Sequence, residues 1–299
     1  MKILITIPHA FLGPNGTERR TERNLYGSES NLASERAAAL LRCVSALHQN
    51  FGANQRLIGP ADMPCNPDHA SITIVVCTAG DQHLVGHLPP GLVHHHATTM
   101  HPRLLGFACH ALLKANLGSF DWYGYVEDDI ELTDSMFFDK LAWFNAAFGP
   151  KALLQPNRFE VSTGPVPKLY IDGPVLNDAS TGAFQDVSLR PRMIAPALGR
   201  SLVFQKTTNP HSGCFFADRG QMAAMADHPE YGQFTTAFSS PLESAATLPI
   251  LRCFDVYKPA PENASFLEVR HIDQRMLDVV VQYTRQRDGL AKHVSEIGA

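Results

Sequence analysis

Three adjacent carboxylates, Glu127-Asp128-Asp129, follow directly on the aromatic and apolar run Trp122-Tyr123-Gly124-Tyr125-Val126. Like charges this close repel unless a proton or a cation sits among them. Oxygen-rich sites of this kind prefer hard divalent ions, magnesium, manganese or calcium, which also bridge diphosphates. The preceding run has the character of a strand, so its side chains alternate: Glu127 and Asp129 are expected on one side and Asp128 on the other. A solvated acidic turn capping a helix that opens near Ser135 would account for the same residues without chemistry.

Three further clusters stand downstream. In Asn209-Pro210-His211-Ser212-Gly213-Cys214, a polar step precedes an apolar strand, and Gly213, having no side chain, lets the backbone approach a ligand closely. His211, Ser212 and Gly213 are therefore candidate substrate contacts. No G-x-S-x-G elbow surrounds any serine, which argues against hydrolase triad chemistry. Glu243, three residues after Ser240 and two after Pro241, falls in the first turn of an expected helix. The helix dipole stabilises a carboxylate there, and a general base for an acceptor hydroxyl is one use of it; plain helix capping is the other. His271, in Val269-Arg270-His271-Ile272-Asp273, is placed to add a neutral imidazole to a metal held by carboxylates, or to serve structure alone. The run His94-His95-His96 lies in an extended segment, where neighbouring side chains diverge and cannot easily meet on one ion, so a structural or substrate-edge role is favoured.

These residues need a frame. Lys2 to Ile7, Ser71 to Thr78 and Trp122 to Val126 are β-branched or aromatic runs suited to a sheet covered on both faces. Shorter extended segments are expected at 92–98, 152–156, 212–217 and 252–258. Between them, helical spacing predicts helices over 31–49, from Pro102 to Gly118, over 135–148 and 219–227, from Pro241 to Leu248 or beyond, and over about 273–294. The stretch 161–201 is rich in Pro, Gly and Asp without sustained period, and reads as an irregular insertion or long β-ribbon over the active face. The order predicts one α/β domain over 1–275, a mixed Rossmann-type sheet flanked by helices, with a helical extension over 276–299.

Composition sets limits. With 25 Lys+Arg against 29 Asp+Glu in 299 residues, the net charge is −4 and no basic run occurs, which excludes a nucleic-acid-coating role. No apolar run reaches the length of a signal-peptide core or a membrane span, so no transmembrane segment is expected and a soluble, cytoplasmic protein is. The six cysteines are scattered without a C-x-x-C pair, the pattern of buried reduced thiols.

Taken in order, the acidic triplet after a strand, the helix-start glutamate and the late histidine resemble the GT-A fold glycosyltransferases. The resemblance implies a DxD-like motif at Glu127, Asp128 and Asp129 that binds Mn2+ or Mg2+ and holds a nucleotide-sugar diphosphate. Metal ligands would be Glu127, Asp129 and His271, with Asp129 foremost, and Asp128 would face the donor. Glu243 would be the catalytic base of an inverting transfer to a glycan or other hydroxyl acceptor. Open α/β sheets bind ligands at the carboxyl ends of their strands. Pro8, His9, Thr78, Ala79 and Gly80 would then border the nucleotide together with Arg103, while Arg19, Arg20 and Arg23 would close over the diphosphate. The motif departs from the family pattern, Glu-Asp-Asp for Asp-x-Asp and Leu-Glu-Ser for the usual Glu-Asp pair. A nucleotidyltransferase that makes nucleotide sugars and a non-catalytic carbohydrate- or calcium-binding module remain alternatives. No motif specifies donor base, sugar, linkage or oligomeric state.

Overall fold

A computed structural model of the chain describes residues 1–13, 32–52, 57–59, 63–65, 69–164, 166–172 and 181–282. The first half runs β1 (Lys2–Pro8), α1 (Ala33–Phe51), the short strands β2 (Leu57–Ile58) and β3 (Met63–Pro64), β4 (Ser71–Ala79), β5 (His94–Thr98), α2 (Leu105–Ala115) and β6 (Trp122–Val126). Next come β7 (Ile130–Glu131), α3 (Phe137–Phe148), β8 (Ala152–Leu154), β9 (Asn157–Val161), β10 (Lys168–Tyr170), β11 (Arg192–Ala197) and β12 (Arg200–Lys206). The last third holds β13 (Cys214–Asp218), α4 (Arg219–Asp227), α5 (Pro241–Leu251), β14 (Asp255–Pro259) and β15 (Glu268–His271).

The central sheet has the order β13-β6-β1-β4-β5, with β6, β1, β4 and β5 parallel and β13 antiparallel to β6. Both faces are covered, as the unbroken apolar character of β1 requires. Ile3, Ile5 and Ile7 join α1 and α3 side chains, among them Leu40, Val44, Phe138 and Phe144, in one core cluster. Leu4 points the other way, into a second cluster with Phe107 of α2, Met222 of α4 and Ala245 of α5. Full burial of each such side chain contributes about 1.5–3 kcal/mol. This is a mixed α/β fold with a helix-flanked sheet, as the sequence predicts.

Two glycines set distances that matter for the site. A Cβ on Gly124 of β6 would lie 2.6 Å from Ile5 Cδ1 and 3.0 Å from Phe216, so only glycine fits between those neighbours. A Cβ on Gly106 of α2 would stand 2.5 Å from the Ala245 Cβ; its absence lets α5, which carries Glu243, pack directly on α2. α4 is fixed by a capping box, the Asp218 side chain accepting from Gln221 N at 2.8 Å while Gln221 reaches back to the Asp218 amide.

Two four-stranded sheets, β10-β9-β15-β7 and β11-β12-β14-β8, and the two-stranded pair β2-β3 complete the described fold. The expected irregular stretch 161–201 contains β10, β11 and the start of β12; the hairpin of β11 and β12 pairs onwards with β14. The final helix is present over 275–282, and the rest of it lies outside the described residues. So does the loop bearing Arg19, Arg20 and Arg23. Among the described residues no helix is long and apolar enough to cross a membrane.

Candidate active site

β1, β4 and β6 end side by side, bringing His9, Gly80 and Glu127 to one rim of the sheet. The acidic triplet there divides three ways. Asp128 turns into the protein, where both its oxygens accept from Arg36 Nη2 at 2.5 Å and Oδ2 meets His9 Nδ1 at 2.5 Å. The Leu84 amide donates to His9 Nε2 at 3.0 Å, so the ring proton sits on Nδ1 and points at Asp128. Burial works against an ionised Asp128, yet Arg36 and His9 outweigh it and hold the carboxyl down to about 2. Asp128 and His9, expected beside the donor, are 6% and 1% exposed and engage each other. This is a buried structural ion pair that sequence reasoning missed, because Arg36 sits 92 residues away on α1.

Asp129 shares Arg36 with Asp128 and also reaches towards β15. Its Oδ2 is 3.7 Å from His271 Nε2 and 3.6 Å from Arg36 Nη1, while its buried Oδ1 has no hydrogen-bond partner. His271 is oriented from behind: its Nδ1 donates to Glu160 Oε1 at 2.8 Å, and Glu160 Oε2 accepts from the Leu277 amide at 2.6 Å. A carboxylate accepts only, so Nδ1 carries a proton towards Glu160 and Nε2 is the ring nitrogen turned towards Asp129. A carboxylate behind the imidazole is the kind of partner that orients metal-binding histidines. Glu160, wholly buried on β9, carries no signal in the sequence that distinguishes it from any other strand glutamate.

Glu127 is the third branch. Its amide donates to Gly213 O at 2.8 Å and its Oε1 is buried without a partner. Burial, followed by repulsion from Asp129, pushes its carboxyl up to about 8, with Arg158 pulling the other way. Glu243, in the first turn of α5, is near enough to add to that repulsion; its own Oε2 is buried and unpartnered, and burial raises its pKa. Gly213 supplies the close approach expected of it, but to Glu127: at φ 63° a Cβ would stand 3.0 Å from Glu127 Oε2 and from Ile130 Cδ1.

Behind Glu127 lies a cationic cluster absent from the sequence reading. Arg158 Nε and Nη2 grip Asp172 Oδ1 at 3.1 and 2.8 Å, and Lys258 Nζ reaches Asp172 Oδ2 at 3.0 Å and His211 O at 2.7 Å. Burial opposes the Asp172 charge, but Arg158 and Lys258 keep its carboxyl down to about 2. His211 hydrogen-bonds Thr247 Oγ1 at 3.0 Å, and burial followed by Arg158 lowers it to about 3, so the ring is neutral. Ser212 is fully buried and donates to Pro156 O at 2.8 Å, which joins it to the wall of the site.

The remaining expected residues line the rim. Thr78 and Ala79 are buried, Thr78 Oγ1 meeting His95 Nε2 at 2.8 Å; Pro8 ends β1, and Gly80 is exposed at φ 50°. Arg103 is exposed on the single 3-10 turn before α2.

Among the described residues no three His, Cys, Asp or Glu side chains are gathered to hold a metal ion. The expected set of Glu127, Asp129 and His271 is therefore not assembled as one shell, because Glu127 is held over Gly213 while Asp129 leans to β15. Asp129 and His271 do stand as a pair. Two atoms each about 2.1 Å from an ion lie about 3 Å apart if adjacent and about 4 Å apart if opposite. Their 3.7 Å separation lies between those two spacings, so a bound ion would draw the side chains into register. Magnesium and manganese commonly take one or two protein ligands and complete their shell with phosphates and water, so the donor chemistry here fits such an ion.

No known protein-family pattern matches the chain, and no curated protein sequence matches it. Among solved structures, the chain is similar to one from Bacillus anthracis described as a glucose-1-phosphate thymidylyltransferase in complex with sucrose, at 11% identity over 87% of each chain and a TM-score of 0.35.

Proposed function

We propose that the protein is a metal-dependent glycosyltransferase that moves a sugar from a nucleotide-sugar donor to a hydroxyl acceptor with inversion. The observation that carries this reading is the line Glu160, His271, Asp129. It turns His271 Nε2 towards Asp129 Oδ2, 3.7 Å away, beside a buried Asp129 Oδ1 that has no hydrogen-bond partner, at the ends of parallel strands where ligands of open α/β sheets bind. Asp129 and His271 would hold Mn2+ or Mg2+, and the ion would neutralise the charge that grows on the departing diphosphate.

The chain's own groups do the rest. Arg36 stands 3.6 Å from Asp129 and keeps its position through Asp128, so it aims a second positive charge at the same rim. Glu243 takes the proton from the acceptor hydroxyl as that oxygen bonds to the anomeric carbon and the sugar–phosphate bond breaks, its electron pair leaving with the nucleoside diphosphate. The burial that raises the Glu243 pKa makes it a stronger base than a surface carboxylate. Gly80, which is exposed, would border the donor, while the buried Pro8, Thr78, Ala79 and His9 support it from within.

Calorimetric titration with Mn2+ followed by UDP-, GDP-, CMP- and dTDP-sugars, then a product assay, tests this. The reading predicts metal-dependent binding of one donor class, lost in Asp129→Ala, and release of the nucleoside phosphate leaving group. Release of pyrophosphate from a nucleoside triphosphate would mark a nucleotidyltransferase instead. Binding of sugar without turnover would mark a binding module.

A further inference from the structure

The hairpin of β11 and β12 has two faces of different chemistry. Met193, Leu202 and Phe204 enter the core, whereas Ile194 stays 63% exposed, on the same face as the exposed Pro196. Ala197 pairs with Arg200, which leaves Leu198 and Gly199 as a two-residue turn at φ 50° and 74°. Such a turn ordinarily holds Asn-Gly, because an L side chain other than Asn or Asp is strained in the left-handed region. Here it holds a leucine that is 80% exposed, more than any other large apolar side chain among the described residues. In water that leucine is unfavourable twice over, through its backbone and through its exposed surface. An apolar medium at the tip relieves the second penalty.

Two more observations define the medium. The run 189–201 contains three arginines, Arg190, Arg192 and Arg200, and no acidic residue; all three are exposed, with Glu262 meeting Arg192 from outside the run. This sets a local positive patch on a chain of net charge −4. The open edge of β11 is poorly suited to another protein strand. The Ala197–Arg200 closing pair turns the backbone groups of residues 193 and 195 towards β12 and those of 192, 194 and 196 outwards. Pro196 has no N–H to offer there.

We propose that this hairpin docks the protein on an anionic lipid surface, with Leu198 and Ile194 entering the boundary between headgroups and acyl chains and the arginines meeting lipid phosphates. An apolar tip flanked by Arg200, on a hairpin that carries Arg190 and Arg192 at its other end, matches that interface in both polarity and sign. The contact is peripheral, and it is independent of what the active site does.

Co-sedimentation of the full chain with phosphatidylcholine vesicles, with and without phosphatidylglycerol at about a third of the lipid, is the test. The wild type should sediment with the anionic vesicles and far less with the neutral ones. Leu198→Asn is the informative variant, because Asn-Gly suits the turn and keeps the hairpin folded: its partitioning should fall about tenfold or more while its melting temperature holds or rises. The double substitution Arg190→Gln and Arg200→Gln should erase the preference for anionic lipid. A wild type that stays in the supernatant with both vesicles overturns the proposal, as does Leu198→Asn sedimenting like the wild type. So does Leu198→Asn converting a dimer to a monomer without lipid binding, which would identify a second copy as the occupant.

Discussion

Glu160 fixes His271 from behind, accepting its Nδ1 proton at 2.8 Å, so that the opposite ring nitrogen faces Asp129 at 3.7 Å. The carboxylate that sets this geometry lies on β9 and is fully buried. It is thus shielded from direct contact with solvent and acts through the histidine.

Glu160→Gln should weaken Mn2+ binding about 10- to 100-fold, the usual range for loss of an outer-shell partner. The amide can still accept one hydrogen bond but can no longer take the full charge-assisted pair from His271 and the Leu277 amide. Calorimetric titration of Mn2+ into the variant checks this, with circular dichroism confirming that it is folded. An unchanged affinity would place His271 outside the metal site.

Neighbouring aspartates should separate stability from activity. Asp128→Ala leaves the buried Arg36 without its main partner and should destabilise the fold by about 3–5 kcal/mol. Asp129→Asn, isosteric and leaving Arg36 its bonds to Asp128, should cost less stability than that, yet abolish metal-dependent donor binding. Urea denaturation and donor titration on the two variants read both effects.

Glu243→Gln should lower kcat by about 10²–10⁴-fold while donor affinity stays within a few-fold of the wild type. The isosteric amide keeps the first turn of α5 intact but cannot take the proton. Equal loss of donor binding and turnover would make Glu243 a binding residue.

Acid should destabilise the protein in two windows. His110 is buried, stacked on Tyr231 and bonded through Nε2 to Ala245 O at 2.9 Å; burial lowers it to about 4. Its folded pKa lies below the unfolded 6.5, so the unfolded chain binds the proton first. The stability His110 confers is complete above about 6.5 and is lost as pH falls towards 4, on the order of 3 kcal/mol if taken fully. Asp128 and Asp172, both held to about 2 from 3.8, lose theirs only as pH falls from about 4 through 2. Urea titrations across pH should show both slopes; His211, lowered to about 3, adds to the upper one and Glu127, raised to about 8, opposes it, so His110→Gln should reduce the upper slope without removing it.

Gly213→Ala should cost about 1–3 kcal/mol, because it places a side chain at φ 63° and a Cβ 3.0 Å from Glu127 Oε2 and Ile130. Since Glu127 must shift to make room, donor affinity should drop alongside. Denaturation and donor titration together check this.

Much of the frame is legible in the residues because the main elements are long and strongly patterned. β1, β4 and β6 are unbroken apolar runs, and α1 and α3 present a helical stripe to them. Strand alternation, which puts Glu127 and Asp129 on one side and Asp128 on the other, does not carry through the triplet, because β6 ends at Val126 and Arg36 meets both aspartates. What cannot be read is pairing at long range. Nothing local marks Arg36 as the partner of Asp128, Asp172 as the clamp on Arg158 and Lys258, or Glu160 as the residue behind His271. β7, β9 and β15, which carry or flank the metal pair, are two to five residues long, too short for periodicity to register. Gly213 and Ser212 stand out as polar breaks in an apolar run, but only the fold shows that the first makes room for Glu127 and the second ties to Pro156.

The strand at the centre of the main sheet is also the earliest to be made. β1 pairs with β4 on one side and β6 on the other, and the bond from Thr6 Oγ1 to Gly124 O spans 118 residues. At about 5–20 residues per second, a ribosome needs roughly 6–24 s to deliver the second partner after the first strand is complete. Until β4 is complete at Ala79 both edges of the strongly apolar Lys2–Pro8 are open, and the edge that pairs with β6 stays open for the rest of that interval. The nascent chain is therefore exposed to aggregation while β1 waits for its partners, and a chaperone that shields Lys2–Pro8 during translation should improve its yield more than one acting after release.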